Sequence, residues 1–100
     1  MNKIFSDDLT IFFSDFAEIG KNVTQNKNFT YVFAYATDEH LEISKIYVIY
    51  AKTDNITFYR NEFIKINQTE ENLRIIKIIS YDDFVSEITL SAQSIKWGEV

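Results

Sequence analysis

The sequence predicts a mainly β fold, a small β-sandwich or barrel of about six to seven strands with one N-terminal helix. Three observations favour it: apolar and polar residues alternate along several segments, aromatic residues reach 16%, and Asn and Asp recur between the apolar runs. The chain has 100 residues, of which 46% are hydrophobic, and this suits a single domain over residues 1–100 with one thin core.

The first element is a helix predicted over residues 6–19. Ser6 is a suitable N-cap, and an apolar stripe follows at helical spacing, made of Leu9, Phe12, Phe13 and Phe16. Gly20 then stands where a left-handed C-terminal cap is expected. This is the only segment with a clear helical period, and its phenylalanine stripe is expected to pack on the core, with docking of a partner as the alternative.

The β core is predicted over residues 22–92, followed by a short C-terminal tail. Strict alternation places Phe29, Tyr31, Phe33 and Tyr35 on one face of its first strand. Further strands are predicted at 41–51, 56–59, 63–66, 73–80 and 85–92, with turns at 37–40 and 52–55 and a hairpin loop at 67–72.

Turns in this chain are expected to be formed by Asn and Asp, because Pro 0 and Gly 2 leave little conventional turn chemistry. Asn tolerates the left-handed backbone region and bonds to its own main chain. The asparagines that lie between apolar runs are Asn22, Asn26, Asn28, Asn55, Asn61, Asn67 and Asn72.

Two segments, 46–50 and 73–79, are apolar on both faces of the predicted strand. Such a strand is normally covered on both sides, and a domain of this size with one helix has little material for that purpose. We therefore expect the sheet to curl into a barrel and other subunits to cover part of its exterior.

The residues that could support catalysis are few. His40 is the only histidine, and it lies in an acidic predicted turn where solvation explains it better than metal binding. Asp82 and Asp83 are adjacent and are expected to form a turn rather than a catalytic pair. There is no cysteine and no phosphate-binding glycine motif. We predict no catalytic, cofactor-binding or metal-binding residues, no cofactor and no enzymatic activity.

The charge and hydropathy patterns also exclude several partners. The formal net charge of −5 argues against a protein that grips phosphate backbones, so no specific nucleic-acid binding is expected. Asp7 and Asp8 interrupt any apolar region of an export signal. No window approaches the length of a membrane span, and no membrane partner is predicted.

The order of strands over residues 29–90 resembles the lambda-type head–tail joining proteins of tailed phages, also called neck or head-completion connectors. The resemblance consists of Val32-Phe33, the 56–62 segment, the 63–83 hairpin and the closing Ile88-Thr89-Leu90, with a helical segment before them. Where that family usually has Gly before the acidic residue of the hairpin, this chain has Asn61 before Glu62, and Asn can adopt the same left-handed geometry.

The resemblance implies a structural, non-enzymatic virion protein that forms a homo-oligomeric ring joining the DNA-filled head to the tail. Its implied partners are other copies of itself, the portal or connector, and tail-completion proteins. Its implied location is the virion, with the host cytoplasm during assembly. An acidic subunit suits a ring around exiting DNA, because it does not hold the duplex by charge.

Loops and the tail are the candidate contact regions under this hypothesis. Trp97 is included because tryptophan is enriched among interface anchors, although it can equally fold back on the core. The candidate interface residues are Asp38, Glu39, His40, Leu41, Lys52, Thr53, Asp54, Asn55 and Trp97.

Two other classes of function remain open from the sequence. A small acidic phage-encoded inhibitor or protein-interaction module is compatible with the size and charge. Lys45, Lys52, Lys65 and Lys77 are interleaved with the acids, however, and this disfavours mimicry of nucleic acid. A ligand-binding or catalytic small barrel requires a pocket, and the sequence shows no polar cluster to line one.

Overall fold

The structure is a computed structural model, and it describes residues 13, 15–38 and 45–92. Six antiparallel strands form a closed barrel in the order β1-β2-β3-β6-β5-β4, which confirms the predicted small β fold. The strands are β1 (Glu18–Asn22), β2 (Lys27–Asp38), β3 (Lys45–Lys52), β4 (Phe63–Lys65), β5 (Leu73–Ser80) and β6 (Val85–Ser91).

The barrel consists of two three-stranded meanders, β1-β2-β3 and β4-β5-β6, which pair along β1–β4 and β3–β6. Residues 53–62 connect them across one end of the barrel, which we call the crossover end. The other end, where β2 finishes at Asp38 opposite Lys45, is called the Asp38 end. Consecutive strands run in opposite directions, so successive loops fall at alternate ends of the barrel, and the two ends carry different loops.

The barrel interior is filled by side chains at alternate positions of the strands. The buried cluster comprises Phe29, Tyr31, Tyr47, Ile49, Ala51, Ile56, Phe58, Ile64, Ile66, Leu73, Ile75, Ile88 and Leu90. Phe29 contacts Phe58 edge to face with ring centroids 5.0 Å apart, a preferred geometry for aromatic pairs. A barrel with few strands is filled by its own side chains, so its interior is a packed core.

Gly20 lies inside β1, and the prediction that it caps the helix is wrong. β1 already begins at Glu18, so neither the helical bound at residue 19 nor the start of the β core at residue 22 is correct. Gly20 has no positive φ; a Cβ there would lie 2.7 Å from Cζ of Phe29. The glycine therefore makes room for a core ring.

The apolar stripe of the predicted helix is described only in part. Leu9 and Phe12 lie outside the described residues, and Phe16 is exposed rather than packed in the core.

A register shift in β2 corrects the predicted face of Tyr35. Phe33 pairs with Ile49, but Tyr35 pairs with Val48, so the side-chain alternation changes phase between them. A bulge adds a residue to one strand and sends the following side chains to the other face. Phe33 packs on the core, whereas Tyr35 is 54% exposed on the barrel exterior.

The β2–β3 connection differs from its predicted bounds. Thr37 and Asp38 continue β2 instead of starting a turn, since Asp38 pairs with Lys45. The predicted strand 41–51 is described only from Lys45, where β3 begins, and residues 39–44 lie outside the described residues.

The crossover segment was predicted to contain a strand at 56–59, and no strand forms there. Ile56 and Phe58 are nevertheless buried against the core, because an extended chain alternates its side chains without strand pairing. The predicted hairpin is confirmed: β4 pairs with β5 through Ile64 and Leu73, and residues 66–72 connect them.

Asparagine turns are confirmed at Asn26, Asn61 and Asn67, and Asn55 lies in a bend. Asn26 and Asn61 have φ values of 61° and 75°, the left-handed conformation that Asn tolerates. Asn22 ends β1 and begins the turn, since its Oδ1 accepts from the amide of Gln25, whereas Asn28 was wrongly assigned to a turn and lies within β2. The Asn61-Glu62 step therefore has the backbone geometry that the sequence suggested.

The strands that are apolar on both faces contribute to the barrel in the way predicted. In β3, Tyr47, Ile49 and Ala51 point inward, and Val48 on the exterior face is only 3% exposed. In β5, Ile75 is buried and Ile79 is half-buried. Closure of the sheet therefore covers the inner face of both strands, the chain itself covers the outer face at Val48, and contact of the remaining outer face with other copies stays a prediction.

Candidate functional site

The predicted contact loop 52–55 lies at the crossover end and is fixed to the β5–β6 turn. The amide of Thr53 donates to the carbonyl of Phe84 at 2.7 Å, and Nζ of Lys27 donates to the carbonyl of Asn55 at 3.2 Å. Nζ of Lys52 lies 5.7 Å from the ring centroid of Phe13 on the barrel exterior. Asp54 and Asn55 are exposed in a bend and are free to meet a partner.

The second predicted contact loop lies at the opposite end of the barrel. Asp38 ends β2 at the Asp38 end, whereas Lys52 ends β3 at the crossover end. Eight residues of β3 separate the two ends, a distance of roughly 24 Å for an extended strand. The structure therefore does not bring the two predicted loops together. Glu39, His40, Leu41 and Trp97 lie outside the described residues.

One exterior surface, which we call the tyrosine face, consists of Tyr35, Tyr50, Tyr81 and Glu87 on the β2, β3, β5 and β6 side. The rings of Tyr50 and Tyr81 are 6.1 Å apart, and Tyr50 is the cross-strand partner of Glu87. Tyr81 is 38% exposed and its hydroxyl donates to Oε1 of Glu87 at 2.5 Å. Tyrosine is enriched in interface cores because it combines a large apolar ring with a polar tip.

The negative charge of the tyrosine face lies on Glu87, and the surroundings of Tyr50 and Tyr81 favour the protonated phenol. The hydrogen bond to Glu87 raises the pKa of Tyr81 to about 12, with burial and the carboxylate charge acting in the same direction. Burial and the charge of Glu87 also raise the pKa of Tyr50. The face therefore offers aromatic rings, hydroxyls and a carboxylate to a partner.

A second exterior surface, the lysine face, consists of Ile19, Lys21, Phe63 and Lys65 on β1 and β4. Lys21 is the direct cross-strand partner of Lys65, and Phe63 is 46% exposed on the same side of β4. Nζ of Lys65 donates to the carbonyl of Thr69, but neither lysine forms an ion pair in the part of the chain that the structure describes. The face is positively charged and partly apolar.

Sequence reasoning missed both faces. Tyr35 was placed on the same face as Phe33 because a bulge has no reliable sequence signal, and Lys21 and Lys65 come together only because β1 and β4 pair across the closed barrel. The alternation along β3 does put Tyr50 on the face opposite to Tyr47 and Ile49, and the structure places that face outward. That single outward aromatic was the available signal.

Each barrel end is held by a network of side-chain hydrogen bonds, and the carboxylates in these networks already accept hydrogen bonds. At the crossover end, Glu62 accepts from Nδ2 of Asn22 and the amide of Tyr59, each at 2.9 Å. At the Asp38 end, the hydroxyl of Tyr31 donates to Oε1 of Gln68 at 2.7 Å and accepts from the backbone amide of Asn67. Side chains bound in this way position loops and are poor candidates for catalysis.

A shallow cavity of about 300 Å³ opens at the crossover end, beside the loop 52–55. Ile56, Phe58 and Ile78 line its inner part, and Ser80 and Ser86 contribute hydroxyls 3.5 Å apart. Asp82 lies at its rim, and its Oδ1 accepts from the amides of Phe84 and Val85, so this carboxylate forms the turn as predicted. The cavity joins polar residues that are distant in sequence, which the sequence alone did not indicate.

Within the described residues, no group of three or more His, Cys, Asp or Glu side chains is arranged to hold a metal ion. The same part of the chain contains no helix of sufficient length and apolarity to cross a membrane. No family model matches the sequence, and neither the curated proteins nor the solved structures include a significant match.

Proposed function

We propose that this chain is a structural subunit of a tailed phage or prophage, forming a connector ring that joins the DNA-filled head to the tail. The observation that carries the proposal is the closed barrel whose two ends present different loops while its exterior retains exposed aromatic residues. A subunit of a ring needs lateral surfaces for its neighbours and separate ends for the assemblies above and below it.

The two barrel ends supply the separate contact regions. Asp54 and Asn55 are exposed at the crossover end, and Asp38 marks the other end, roughly 24 Å away along β3. In this proposal one end contacts the portal and the other contacts a tail-completion protein. The sides of the barrel contact other copies of the chain, so the virion is its location after assembly.

The charge distribution favours this proposal over the acidic inhibitor. An inhibitor that mimics nucleic acid presents carboxylates on a continuous surface, because the phosphates it imitates are closely spaced. Lys21 and Lys65 instead form a positive patch on β1 and β4, and the carboxylate of Glu62 is buried in hydrogen bonds. The surface of the barrel is therefore mixed in charge.

Deletion of the gene, followed by electron microscopy of the lysate, tests the proposal. The expected result is DNA-filled or leaking heads beside free tails, with normal particles restored when the gene is supplied in trans. Normal virions from the deletion strain, or a lysate that lacks heads and tails altogether, would contradict a connector role.

A further inference from the structure

The tyrosine face and the lysine face lie on opposite sides of the barrel. In the closed order β1-β2-β3-β6-β5-β4, the β1–β4 seam is three strands away from the β3–β6 seam in either direction. Lys21 and Lys65 belong to the first seam, and Tyr50 and Glu87 belong to the second. One molecule therefore presents two chemically different surfaces that point in opposite directions.

The lysine face has an electrostatic cost, the repulsion between two lysines, that no ion pair within the described residues offsets. Lys21 and Lys65 are directly opposed across the β1–β4 pair, and like charges in that position destabilise a sheet. No acid of the described residues forms an ion pair with either lysine. An incoming carboxylate would relieve this repulsion.

The tyrosine face has the complementary properties. Glu87 has no cationic partner among the described residues, and it lies beside the rings of Tyr50 and Tyr81. Aromatic faces attract lysine ammonium groups, and the interaction strengthens when water is excluded. The exposed ring of Phe63 on the lysine face provides an apolar contact for the exposed ring of Tyr35.

We propose that the tyrosine face of one copy docks on the lysine face of a second copy, so that the chain assembles head to tail. This inference deepens the proposed function. Only the closure of the ring rests on that function; the contact between copies is argued from the two faces alone. A contact between two different surfaces is heterologous, and it repeats from copy to copy until rotation closes a ring.

The first test is the mass of the purified full-length chain by sedimentation velocity over a wide range of concentrations and at low and high salt. The expected result is a mass that rises with concentration and falls as salt is added, since salt screens exposed charge pairs. A mass that remains that of the monomer at every concentration and salt level overturns the proposal.

The second test reverses the charge of each face separately. Lys21→Glu with Lys65→Glu reverses the lysine face, and Glu87→Lys reverses the tyrosine face. Each variant is expected to weaken self-association by about tenfold or more, because like charges then meet across the contact. Lys45→Glu and Glu70→Lys each reverse one charge outside both faces and serve as controls, with circular dichroism confirming that every variant is folded.

Combining the reversals distinguishes the head-to-tail contact from a symmetric one. The chain with all three substitutions carries both reversed faces, so its self-association should return to within about threefold of the wild-type value. An equimolar mixture of the two single-face variants should likewise associate. If the combined variant stays monomeric, or if only one face is sensitive to reversal, the head-to-tail contact is wrong.

The self-association tests and the gene-deletion experiment can fail independently of each other. Head-to-tail association without any assembly defect in the deletion strain would remove the proposed function and retain the contact. An assembly defect together with a chain that is monomeric in all conditions would retain the function and remove this contact.

Discussion

Asn22 and Glu62 form a buried hydrogen bond that joins the end of β1 to the start of β4. Nδ2 of Asn22 donates to Oε1 of Glu62 at 2.9 Å, and the Asn22 side chain is 0% exposed. Its Oδ1 accepts from the amide of Gln25, and Nε2 of Gln25 donates to Oε2 of Glu62 at 2.8 Å. The β1–β2 turn, the crossover and β4 are thereby held at one point of the barrel.

Glu62→Ala is expected to destabilise the fold by about 2–3 kcal/mol, because it leaves the buried amide of Asn22 and the backbone N–H of Tyr59 without their acceptor. Urea unfolding followed by circular dichroism measures the change. Glu70→Ala is the control: Glu70 is an exposed residue of the β4–β5 loop, and its substitution should leave the midpoint unchanged. Equal effects of the two substitutions would refute the structural role of Glu62.

Substitutions of Gly20 distinguish a strand position from a helix cap. Gly20→Ala places a methyl group 2.7 Å from Cζ of Phe29, with an expected cost of about 1–3 kcal/mol. Gly20→Asn should cost more than Gly20→Ala, because a larger side chain meets the same rings. A left-handed cap would show the reverse order, since Asn tolerates that conformation better than Ala. The melting temperatures of the two variants decide between these orders.

We expect the free energy of unfolding to fall at alkaline pH because of Tyr31 and Tyr81. Burial raises the pKa of Tyr31 to about 12, and the hydrogen bond to Glu87 raises the pKa of Tyr81 to about 12, against an ordinary value of 10.0. The folded state holds both protons more tightly than the unfolded state. The resulting stabilisation is complete below pH 10 and is lost as the pH rises through 12.

Denaturant unfolding at several alkaline pH values measures this loss, and the tyrosinate absorbance of the folded protein reports the late titrations of Tyr31 and Tyr81. Tyr31→Phe and Tyr81→Phe should each remove one of them, whereas Tyr59→Phe, at an exposed residue, is the control and should leave both in place. A free energy of unfolding that is constant over this range would contradict the hydrogen bonding of both phenols.

The left-handed Asn61 predicts a specific order among substitutions. Asn61→Gly is expected to be nearly neutral, because Gly adopts its φ of 75° without strain. Asn61→Ala should cost about 1 kcal/mol from the backbone conformation, and the contact of Oδ1 with Nη1 of Arg74 is lost in both variants. Because both variants lose that contact, the difference between the melting temperatures of Asn61→Gly and Asn61→Ala isolates the effect of the backbone conformation. If Ala were tolerated as well as Gly, the backbone conformation would be contradicted.

Local patterns predicted most strands, and long-range pairing determined the rest. The 63–80 hairpin was predictable because its alternation and its loop lie within one short segment. Gly20 was misread because the same residue type suits a helix cap and a crowded strand position. Tyr35 was misread because the bulge that moves it outward depends on how β2 pairs with β3.

The candidate surfaces were harder to predict than the strands. The loop 52–55 was identified from its turn residues, and the structure places it at an exposed barrel end. The tyrosine and lysine faces depend on which strands become neighbours at closure. Lys21 and Lys65 are far apart in sequence, and only the β1–β4 pairing brings their charges together.

The most direct test of the connector role is to locate the chain in purified virions of the phage or prophage that encodes it. Mass spectrometry of the particles measures its copy number relative to the portal protein, and antibody labelling under the electron microscope shows its position. The account predicts a fixed number of copies at the junction between head and tail. Purified virions that lack the chain, or that carry it only in the capsid shell or the tail tip, would contradict the account.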